Sequence, residues 1–312
     1  MTRQRGVAAI TAILIVAVAA STAMLMLSQQ SAMLDQASLV AARAQADLFA
    51  RAGLDWSRGI LLQDSITAGA YDGLDEGWAQ PLAALPVERA IVSGAIEDEQ
   101  GKFNLNNLVV NNARSDENVK AFQRLLSSLG LAPELADAVV DWIDVDSDLS
   151  GPGGAEDPYY LSLAKPYRAA NSPMVQVEEL YRVRGFDAAT VAKLKPYVTA
   201  LRDPSGNPMT APTAVNVNTA SAVVLAAVMP QMPQGKIDAF VAVRTKQPFK
   251  TAQQLSAWTQ NMVDATPVPL AIQSSYFSVR VRVAQDDVQL ASDALLVRGP
   301  GAVTVAWRRP IY

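Results

Sequence analysis

Residues 1–30 read MTRQRG, then VAAITAILIVAVAASTAMLML, then SQQ: a basic hexapeptide, an uncharged run and a polar end. The uncharged run covers residues 7–27, and a helix rising ~1.5 Å per residue over that length crosses a bilayer core of ~30 Å. Arg3 and Arg5 precede the run, and the positive-inside preference places residues 1–6 in the cytoplasm. The sequence therefore predicts one transmembrane helix over 7–27.

Two other interpretations of this segment stay open. A cleavable secretory signal also begins with basic residues, but its apolar region is typically about 7–15 residues long, and this run is longer. A single-pass anchor followed by an ordinary amphipathic helix also fits. Gly6 ends the basic leader before Val7, a feature that neither of these two interpretations requires.

The chain is predicted to continue as an amphipathic helix over residues 28–63. Its charged face carries Asp35, Arg43, Asp47 and Arg51. Long apolar stripes on such helices bury against like helices, so we expect this segment to contact other subunits. The apolar residues recur at spacings of three or four and share one face: Leu34, Ala37, Ala41, Ala44, Leu48, Ala52 and Trp56.

Composition excludes several classes of function. The 312 residues include no cysteine and no histidine, which excludes disulfides, thiolate catalysis, imidazole bases and the usual zinc sites. Any metal must be held by oxygen. The net charge of −4 gives no basic surface for phosphate backbones, which normally supply most of the free energy of nucleic-acid binding.

Two regions predict an antiparallel sheet. Residues 90–106 contain two extended runs around an acidic, glycine-ended turn and predict a β-hairpin. Residues 277–283 alternate valine or phenylalanine with polar side chains, as a half-buried strand does. Residues 288–297 and 302–307 complete a predicted meander. The fold class is therefore α+β, with a long N-terminal helix on an antiparallel sheet and a core split between 64–109 and 271–312.

Residues 110–270 lie between these parts, are mostly helical and predict a large inserted all-α domain. A faint repeat links this domain to its flanks: Asn-Leu-Asn-Asn at 104–107 and Asn-Val-Asn-Thr at 216–219 each precede helical segments. A third related unit covers 177–186 and a helix over 188–197. These units resemble helix-hairpin-helix modules.

Residues 141–160 read DWIDVDSDLSGPGGAEDPYY and form an acidic, glycine-rich loop. Crowded carboxylates repel one another unless a hard divalent cation joins them, and calcium takes about 6–8 oxygen ligands at ~2.3–2.6 Å. The loop predicts a Ca²⁺ site for one or two ions. The predicted ligands are Asp144, Asp146, Asp148, Glu156 and Asp157, with Asp141 as a further candidate.

Asp144, Asp146 and Asp148 have the one-three-five spacing of an EF-hand, but the rest of that motif is missing. Its sixth position, a glycine, is Leu149 here, and its twelfth, a glutamate, is Ala155. Magnesium, which requires a near-ideal octahedron, stays an alternative ion. A solvated acidic loop without an ion is the other alternative.

Arg5-Gly6-Val7 before an apolar helix resembles the class III signal of type IV pilins and type II secretion pseudopilins. That resemblance implies cleavage between Gly6 and Val7 by prepilin peptidase and N-methylation of Val7. In those families the fifth mature residue is usually a glutamate that neutralises the amino terminus of the neighbouring subunit; here it is Thr11. A buried carboxylate needs a partner, so a subunit that lacks it is expected to have no subunit ahead of it.

Residues 141–146 and 154–160, with an Asp-Trp-Ile-Asp-x-Asp stretch, Gly-Ala-Glu-Asp and paired tyrosines, resemble the general secretion pathway protein K family of minor pseudopilins. The resemblance implies a calcium-binding helical domain without enzymatic activity, at the tip of the pseudopilus. There the protein would help initiate assembly and export folded exoproteins across the outer membrane.

The same resemblance implies a location and partners. It places the protein in the bacterial inner membrane as a single-pass protein with its C-terminal domain in the periplasm. The implied partners are minor pseudopilins I and J, then H, the major pseudopilin, the inner-membrane assembly platform, prepilin peptidase and secreted exoproteins.

A membrane-anchored DNA-binding or uptake protein is the alternative function. Residues 216–220 with Arg244 and Pro248-Phe249 resemble helix-hairpin-helix proteins of DNA uptake. However, Pro230 and Pro233 remove amide donors where such a hairpin would bind phosphate. An enzyme with Asp144 and Glu156 as paired carboxylates is a weaker alternative, because nothing else in the sequence predicts a sugar cleft.

Overall fold

The structure is a computed structural model that describes residues 4–67, 70–203, 210–259 and 268–311, with the backbone alone for residues 4–6. Residues 1–3 of the predicted leader lie outside this range. Helix α1, Gln4–Thr67, runs for 64 residues and includes the predicted transmembrane and following segments without a break. Among the described residues it is the one helix long and apolar enough to cross a membrane.

Five antiparallel strands form the main sheet, in the order β1-β2-β9-β10-β11. Strand β1, which contains Pro86, was not predicted from the sequence. Proline removes an amide donor, and β1 tolerates it because it is an edge strand. The strands are β1 Leu82–Val87, β2 Ala90–Asp98, β9 Tyr276–Gln285, β10 Val288–Gly299 and β11 Ala302–Ile311.

The predicted β-hairpin over 90–106 is wrong. Strand β2 pairs with β1 on one side and with β9 on the other, with Ile96 opposite Val279. After β2 the chain makes a short 3-10 turn, and Phe103–Asn104 pairs in parallel with Val198–Thr199 instead of returning along β2. Pairing with β9 gives β2 a partner that also packs on α1, which a local hairpin would not provide.

The predicted meander is confirmed. Strands β9, β10 and β11 are consecutive antiparallel neighbours. On β9, Phe277, Val279, Val281 and Val283 are buried and face α1, as their alternation predicts. Arg280 and Asp293 lie opposite each other on the other face and form a two-point ion pair, with N–O distances of 2.7 and 2.8 Å.

Helix α1 contacts the sheet through one face of its C-terminal half. Ala46, Ala50, Leu54 and Leu61 are buried against β2, β9 and β10. The apolar stripe predicted from the sequence lies on a different face and stays outside this core. Leu34, Leu48 and Trp56 are 71%, 63% and 52% exposed.

A helical region lies between β2 and β9 and has its own core, which includes Phe122, Leu125, Val139, Trp142 and Phe240. Phe103, Leu105 and Leu108, which precede the predicted insertion, also pack in this core. The helices are α2 Asp116–Ser128, α3 Leu135–Ile143, α4 Asp157–Leu161, α5 Ala188–Leu194, α6 Ala222–Val228, α7 Gln234–Lys246 and α8 Ala252–Thr259.

The helical region also contains short two-residue strands, which the all-α prediction did not include. Strands β3 and β6 pair in parallel, as do β7 and β8. In both pairs the first strand leads into an Asn-x-Asn segment, so the repeat seen in the sequence has a counterpart in the fold. The strands are β3 Phe103–Asn104, β4 Val109–Val110, β5 Ala113–Arg114, β6 Val198–Thr199, β7 Val215–Asn216 and β8 Leu270–Ala271.

The sheet and the helical region meet at a buried carboxylate, Asp98, at the end of β2. It accepts hydrogen bonds from Thr219 Oγ1 (2.6 Å), Ser274 Oγ (2.7 Å) and Asn216 Nδ2 (2.9 Å). The amide of Gln100 donates to it as well. Burial raises the pKa of Asp98 to about 6 despite these donors.

A long α1 on an antiparallel sheet, with an inserted helical region, confirms the predicted fold class.

Candidate metal centre

The acidic loop begins where α3 ends. Asp137 and Asp141 lie on α3, and Asp144 follows its last residue, Ile143, with its amide bonded to Val140 O at 2.9 Å. Asp141 is fully buried and Asp144 is 5% exposed. Because residues 141 and 144 are neighbours on one helical face, α3 directs both carboxylates into the space that the loop encloses.

The loop then folds back along α3. Ser150 N donates to Asp141 Oδ1 at 2.8 Å, and Arg114 Nη1 donates to Ser150 O at 2.9 Å. Arg184 Nη1 donates to Gly154 O at 2.7 Å from the other side. These contacts fix the loop backbone against the helix.

The glycines in this loop are required by close approach. A Cβ at Gly153 would collide with the carbonyl oxygen of Glu134, and one at Gly154 with Asp141 Oδ2. A Cβ at Gly151 would collide with the carboxylate of Asp137. The Gly-Pro-Gly-Gly run therefore lets the chain lie directly on α3, rather than only making the loop flexible.

Three of the predicted ligands come together. Asp144, Asp146 and Glu156 each offer a carboxylate oxygen, and these oxygens lie within 4.8 Å of one another. Glu156 is 4% exposed, and neither of its carboxylate oxygens has a hydrogen-bond partner in the described part of the chain. The same holds for Asp144 Oδ1 and for Asp141 Oδ2. Buried acceptors of this kind normally have a partner.

The electrostatics of the group follow from burial and like charge. Desolvation, with Asp146 and Asp141 nearby, raises the pKa of Asp144 to about 7. Desolvation and the neighbouring aspartates likewise raise the pKa of Glu156 to about 7. The pKa of Asp141 is raised as well, chiefly by burial. A cation bound here would offset the repulsion among these carboxylates and stabilise the ionised forms that burial disfavours.

Besides Asp141, two predicted ligands lie outside this group of three. Asp148 is exposed, and its amide donates to Asp146 Oδ1 at 2.9 Å. Asp157 is the first residue of α4, and it accepts from Ala169 N at 3.1 Å and pairs with Arg168 at 3.3 Å. The backbone of Asp148 thus holds the side chain of Asp146, while Asp157 is engaged with another segment.

Aromatic rings pack beside the loop. Trp142 meets Tyr160 edge-on, with 5.3 Å between ring centroids, and Tyr160 also packs on Tyr167 at 5.4 Å. Tyr160 OH accepts from Arg184 N at 3.3 Å. The second tyrosine of the pair therefore belongs to the core that holds the end of the loop.

Arg244, which the DNA-binding alternative invokes, is turned inward. Its guanidinium donates to the carbonyl oxygens of Val217 and Ala220, and burial lowers its pKa to about 10. A side chain held in this way does not reach a phosphate backbone. The observation weakens that alternative.

At the amino terminus, Val7 and Thr11 lie on exposed parts of α1. Thr11 Oγ1 donates to Val7 O (3.1 Å) and Ala8 O (3.0 Å) within the helix. Gly6 is in the first turn of α1, but its surroundings lie outside the described residues. The cleavage, the methylation and the role of Thr11 stay predictions.

Three residues that hold the loop were not predicted from the sequence: Asp137, Arg114 and Arg184. Asp137 precedes Asp141 by four residues on α3, so helical spacing could have drawn attention to it. The two arginines come from distant segments, and no local pattern indicates them.

Comparison with known proteins agrees with this architecture. Models of type II secretion system protein K match residues 101–203 and 215–280. Type II secretion system protein K of Pseudomonas aeruginosa is 34% identical over 95% of this chain and 89% of its own length. The Aeromonas hydrophila protein is 32% identical over 98% and 97%.

A solved structure is also similar. A chain in the crystal structure of the GspK-GspI-GspJ complex from the type 2 secretion system of enterotoxigenic Escherichia coli superposes with a TM-score of 0.69 and 25% identity, covering 86% of this chain and 97% of that one. The long helix, the antiparallel sheet and the inserted helical region are thus shared features. The chain belongs to the type II secretion system protein K family, and its role is that of a minor pseudopilin.

Proposed function

We propose that this protein caps the type II secretion pseudopilus, where it initiates assembly with the minor pseudopilins I and J and supports export of folded exoproteins. The observation that carries the proposal is the exposed apolar stripe on α1. Minor pseudopilin H and the major pseudopilin would follow below, and the inner-membrane platform would assemble the filament.

The stripe includes Leu34, Leu48 and Trp56, all more than half exposed, on a helix whose other face already packs on the sheet. Such a surface on a helix is stabilised by burial against another helix. The similar solved chain comes from a complex with GspI and GspJ. Both facts favour α1 as the element that joins the partner pseudopilins.

Substitution on the stripe tests this proposal. Leu48→Glu places a charge on it, whereas Ala32→Glu places the same charge on roughly the opposite side of α1, by helical geometry. We expect Leu48→Glu to prevent co-purification of the I and J homologues from detergent-solubilised membranes and to stop exoprotein secretion. Ala32→Glu should preserve both. Normal complex formation by Leu48→Glu, at wild-type protein levels, would refute the proposed interface.

We further propose that residues 1–6 form a cytoplasmic leader, 7–27 the membrane helix and 28–63 its periplasmic continuation in the bacterial inner membrane. The remaining chain would lie in the periplasm, with 64–109 and 271–312 as the pseudopilin core and 110–270 as the inserted domain. Prepilin peptidase would cut between Gly6 and Val7, and Val7 would be methylated. Mass spectrometry of the protein isolated from cells, with Gly6→Val as the uncut control, checks the processing.

The acidic loop is proposed to bind one or two calcium ions. Asp144, Asp146 and Glu156 would hold the ion, with Asp141 Oδ2 as a further unpartnered oxygen. The donors are all carboxylates on a chain without histidine or cysteine, which suits a hard cation. Bound calcium would supply positive charge to the loop and so stabilise the helical region.

Thermal unfolding with calcium and with an excess of chelator tests the ion. We expect a lower melting temperature in chelator, restored by calcium and less well by magnesium. Equal melting temperatures in all three conditions would leave the solvated loop as the better interpretation.

We propose no catalytic role, since the family is a structural component of secretion and the acidic group has the features of an ion site. The inward Arg244 and the kinship with secretion proteins disfavour DNA binding. A filter-binding assay with duplex DNA over a range of salt concentrations distinguishes a DNA-binding protein from a secretion subunit. DNA binding should be strong at low salt and weaken steeply as salt is added.

A further inference from the structure

A second group of carboxylates lies at the end of α1, away from the acidic loop. Asp64 is in the last turn of α1, and Asp72 and Glu76 lie in the connection to β1. Each offers a carboxylate oxygen, and the three oxygens lie within 4.8 Å of one another. Asp72 is fully buried and Glu76 is 7% exposed, so the protein rather than solvent surrounds these charges.

Arg298 covers one side of the group. Its Nη1 is 3.0 Å from Asp64 Oδ2, and its Nη2 contacts Asp72 Oδ2 and donates to Ser274 O at 2.7 Å. The guanidinium lies 4.9 Å from the centre of the Phe277 ring. One positive charge therefore faces three carboxylates.

Two of the carboxylates are each fixed through one oxygen only. Asp72 Oδ2 accepts from Ser274 N at 2.7 Å, and Glu76 Oε2 accepts from Gly73 N (2.8 Å) and Trp78 Nε1 (3.0 Å). Asp72 Oδ1 and Glu76 Oε1 are buried and have no hydrogen-bond partner within the described ranges. A buried acceptor without a partner is costly, and two of the three clustered carboxylates each carry one.

We propose that Asp64, Asp72 and Glu76 form a second cation site, which binds a divalent ion on the side of the group opposite Arg298. The donors are all oxygen, and the charge that remains beside Arg298 is that of two carboxylates. Calcium suits such a site because its coordination number is flexible and water can complete its shell. Burial, with a smaller contribution from the neighbouring Asp64 and Asp72, raises the pKa of Glu76.

An ion bound at Asp72 would affect the structure, because the backbone of Asp72 is hydrogen-bonded to distant segments of the chain. Asp72 N donates to Ile272 O at 2.7 Å, and Asp72 O accepts from Asn216 Nδ2 at 3.1 Å. Asn216 also donates to Asp98 at the junction of the sheet and the helical region. An ion at Asp72 would therefore connect the C-terminal end of α1, where Asp64 lies, to this junction.

Counting bound ions tests the site. Equilibrium dialysis of the full-length protein in detergent against radioactive calcium gives the number of ions for the wild type, Glu76→Gln and Asp75→Asn. Asp75 is the matched control, because it is an exposed carboxylate one residue away that accepts from Tyr71 OH. We expect Glu76→Gln to bind one ion fewer and Asp75→Asn to bind the wild-type number. An unchanged number in Glu76→Gln would overturn the proposal.

A second measurement does not depend on the fold of Glu76→Gln. Terbium replaces calcium and emits when a nearby tryptophan is excited, and Trp78 is hydrogen-bonded to Glu76. In a Glu156→Gln chain, which removes a proposed ligand of the acidic loop, terbium emission should persist. Adding Trp78→Phe should lower it several-fold, because the tryptophan beside Glu76 that excites the ion is removed. Emission that disappears with Glu156→Gln alone, or that is unaffected by Trp78→Phe, would contradict the second site while leaving the acidic-loop site intact.

Discussion

Asn106 holds the backbone of Met174 through both ends of its amide: Met174 N donates to Oδ1 at 2.8 Å, and Nδ2 donates to Met174 O at 2.9 Å. Asn218 holds Phe249 in the same way, with distances of 3.0 and 2.9 Å. All four residues are buried. The second asparagine of each Asn-x-Asn segment thus joins its segment to the backbone of a distant part of the chain through two hydrogen bonds, as strand pairing would.

Asn106→Ala should destabilise the protein by about 2–4 kcal/mol, because its side chain loses three buried hydrogen bonds, two to Met174 and one to Leu201 O, and Met174 keeps an unsatisfied amide. Asn218→Ala should also destabilise the protein but by less, since its side chain makes the two equivalent bonds, to Phe249, without a third in the described part of the chain. Gln289→Ala, which changes an exposed amide on β10, is the control and should be nearly neutral. Chemical denaturation followed by tryptophan fluorescence measures all three. A neutral Asn106→Ala would mean that water replaces its contacts.

Gly153→Ala should destabilise the acidic loop by at least about 2 kcal/mol, because the added methyl group collides with backbone that cannot move away. Gly235→Ala is the control: a Cβ there meets nothing within 4 Å, in the first turn of α7. It should be neutral or stabilise by about 0.5 kcal/mol. The melting temperatures of the two variants, measured in calcium, check this prediction. Equal effects of both substitutions would contradict the close packing of the loop on α3.

Glu156→Gln should weaken calcium binding by at least tenfold, since it removes a charge from the group of three carboxylates. Asp148→Asn removes the same charge from an exposed position outside the group and should change affinity by less than about threefold, as an exposed charge contributes little. Isothermal titration of the full chain in detergent gives both affinities. A larger loss for Asp148→Asn would restore the predicted one-three-five ligand set.

The stability of the ion-free protein should fall as pH rises. The folded-state pKa values of Asp144 and Glu156 are raised to about 7 from ordinary values of 3.8 and 4.5. Their contribution to stability is therefore fully present below about pH 4 and is lost as pH rises through about 7. Calcium requires the ionised carboxylates, so its stabilising effect should grow over the same range.

Melting temperatures at pH 5 and pH 8, with calcium and with chelator, check this dependence. The difference in melting temperature between calcium and chelator should be larger at pH 8 than at pH 5. In the double substitution Asp144→Asn with Glu156→Gln the gap should be small at both pH values. A gap that narrows towards pH 8 in the wild-type protein would show that these groups do not govern ion binding.

Local patterns in the sequence predict the elements whose side chains recur with a regular period. The uncharged run 7–27 is long enough to form a membrane helix, and the alternation over 277–283 predicts β9 with its buried face. The clustering of aspartates over 141–148 also indicates an ion site without reference to the fold.

Tertiary structure decided which segments meet. Strand β2 pairs with β9 because apolar residues of both are buried under α1, and the intervening 177 residues of chain conceal that pairing from any local pattern. Glu156 joins Asp144 because Gly153 and Gly154 let the loop lie on α3, whereas Asp148, nearer in sequence, faces solvent. Periodicity fixes which face a side chain occupies, but burial and charge compensation between distant segments fix its neighbours.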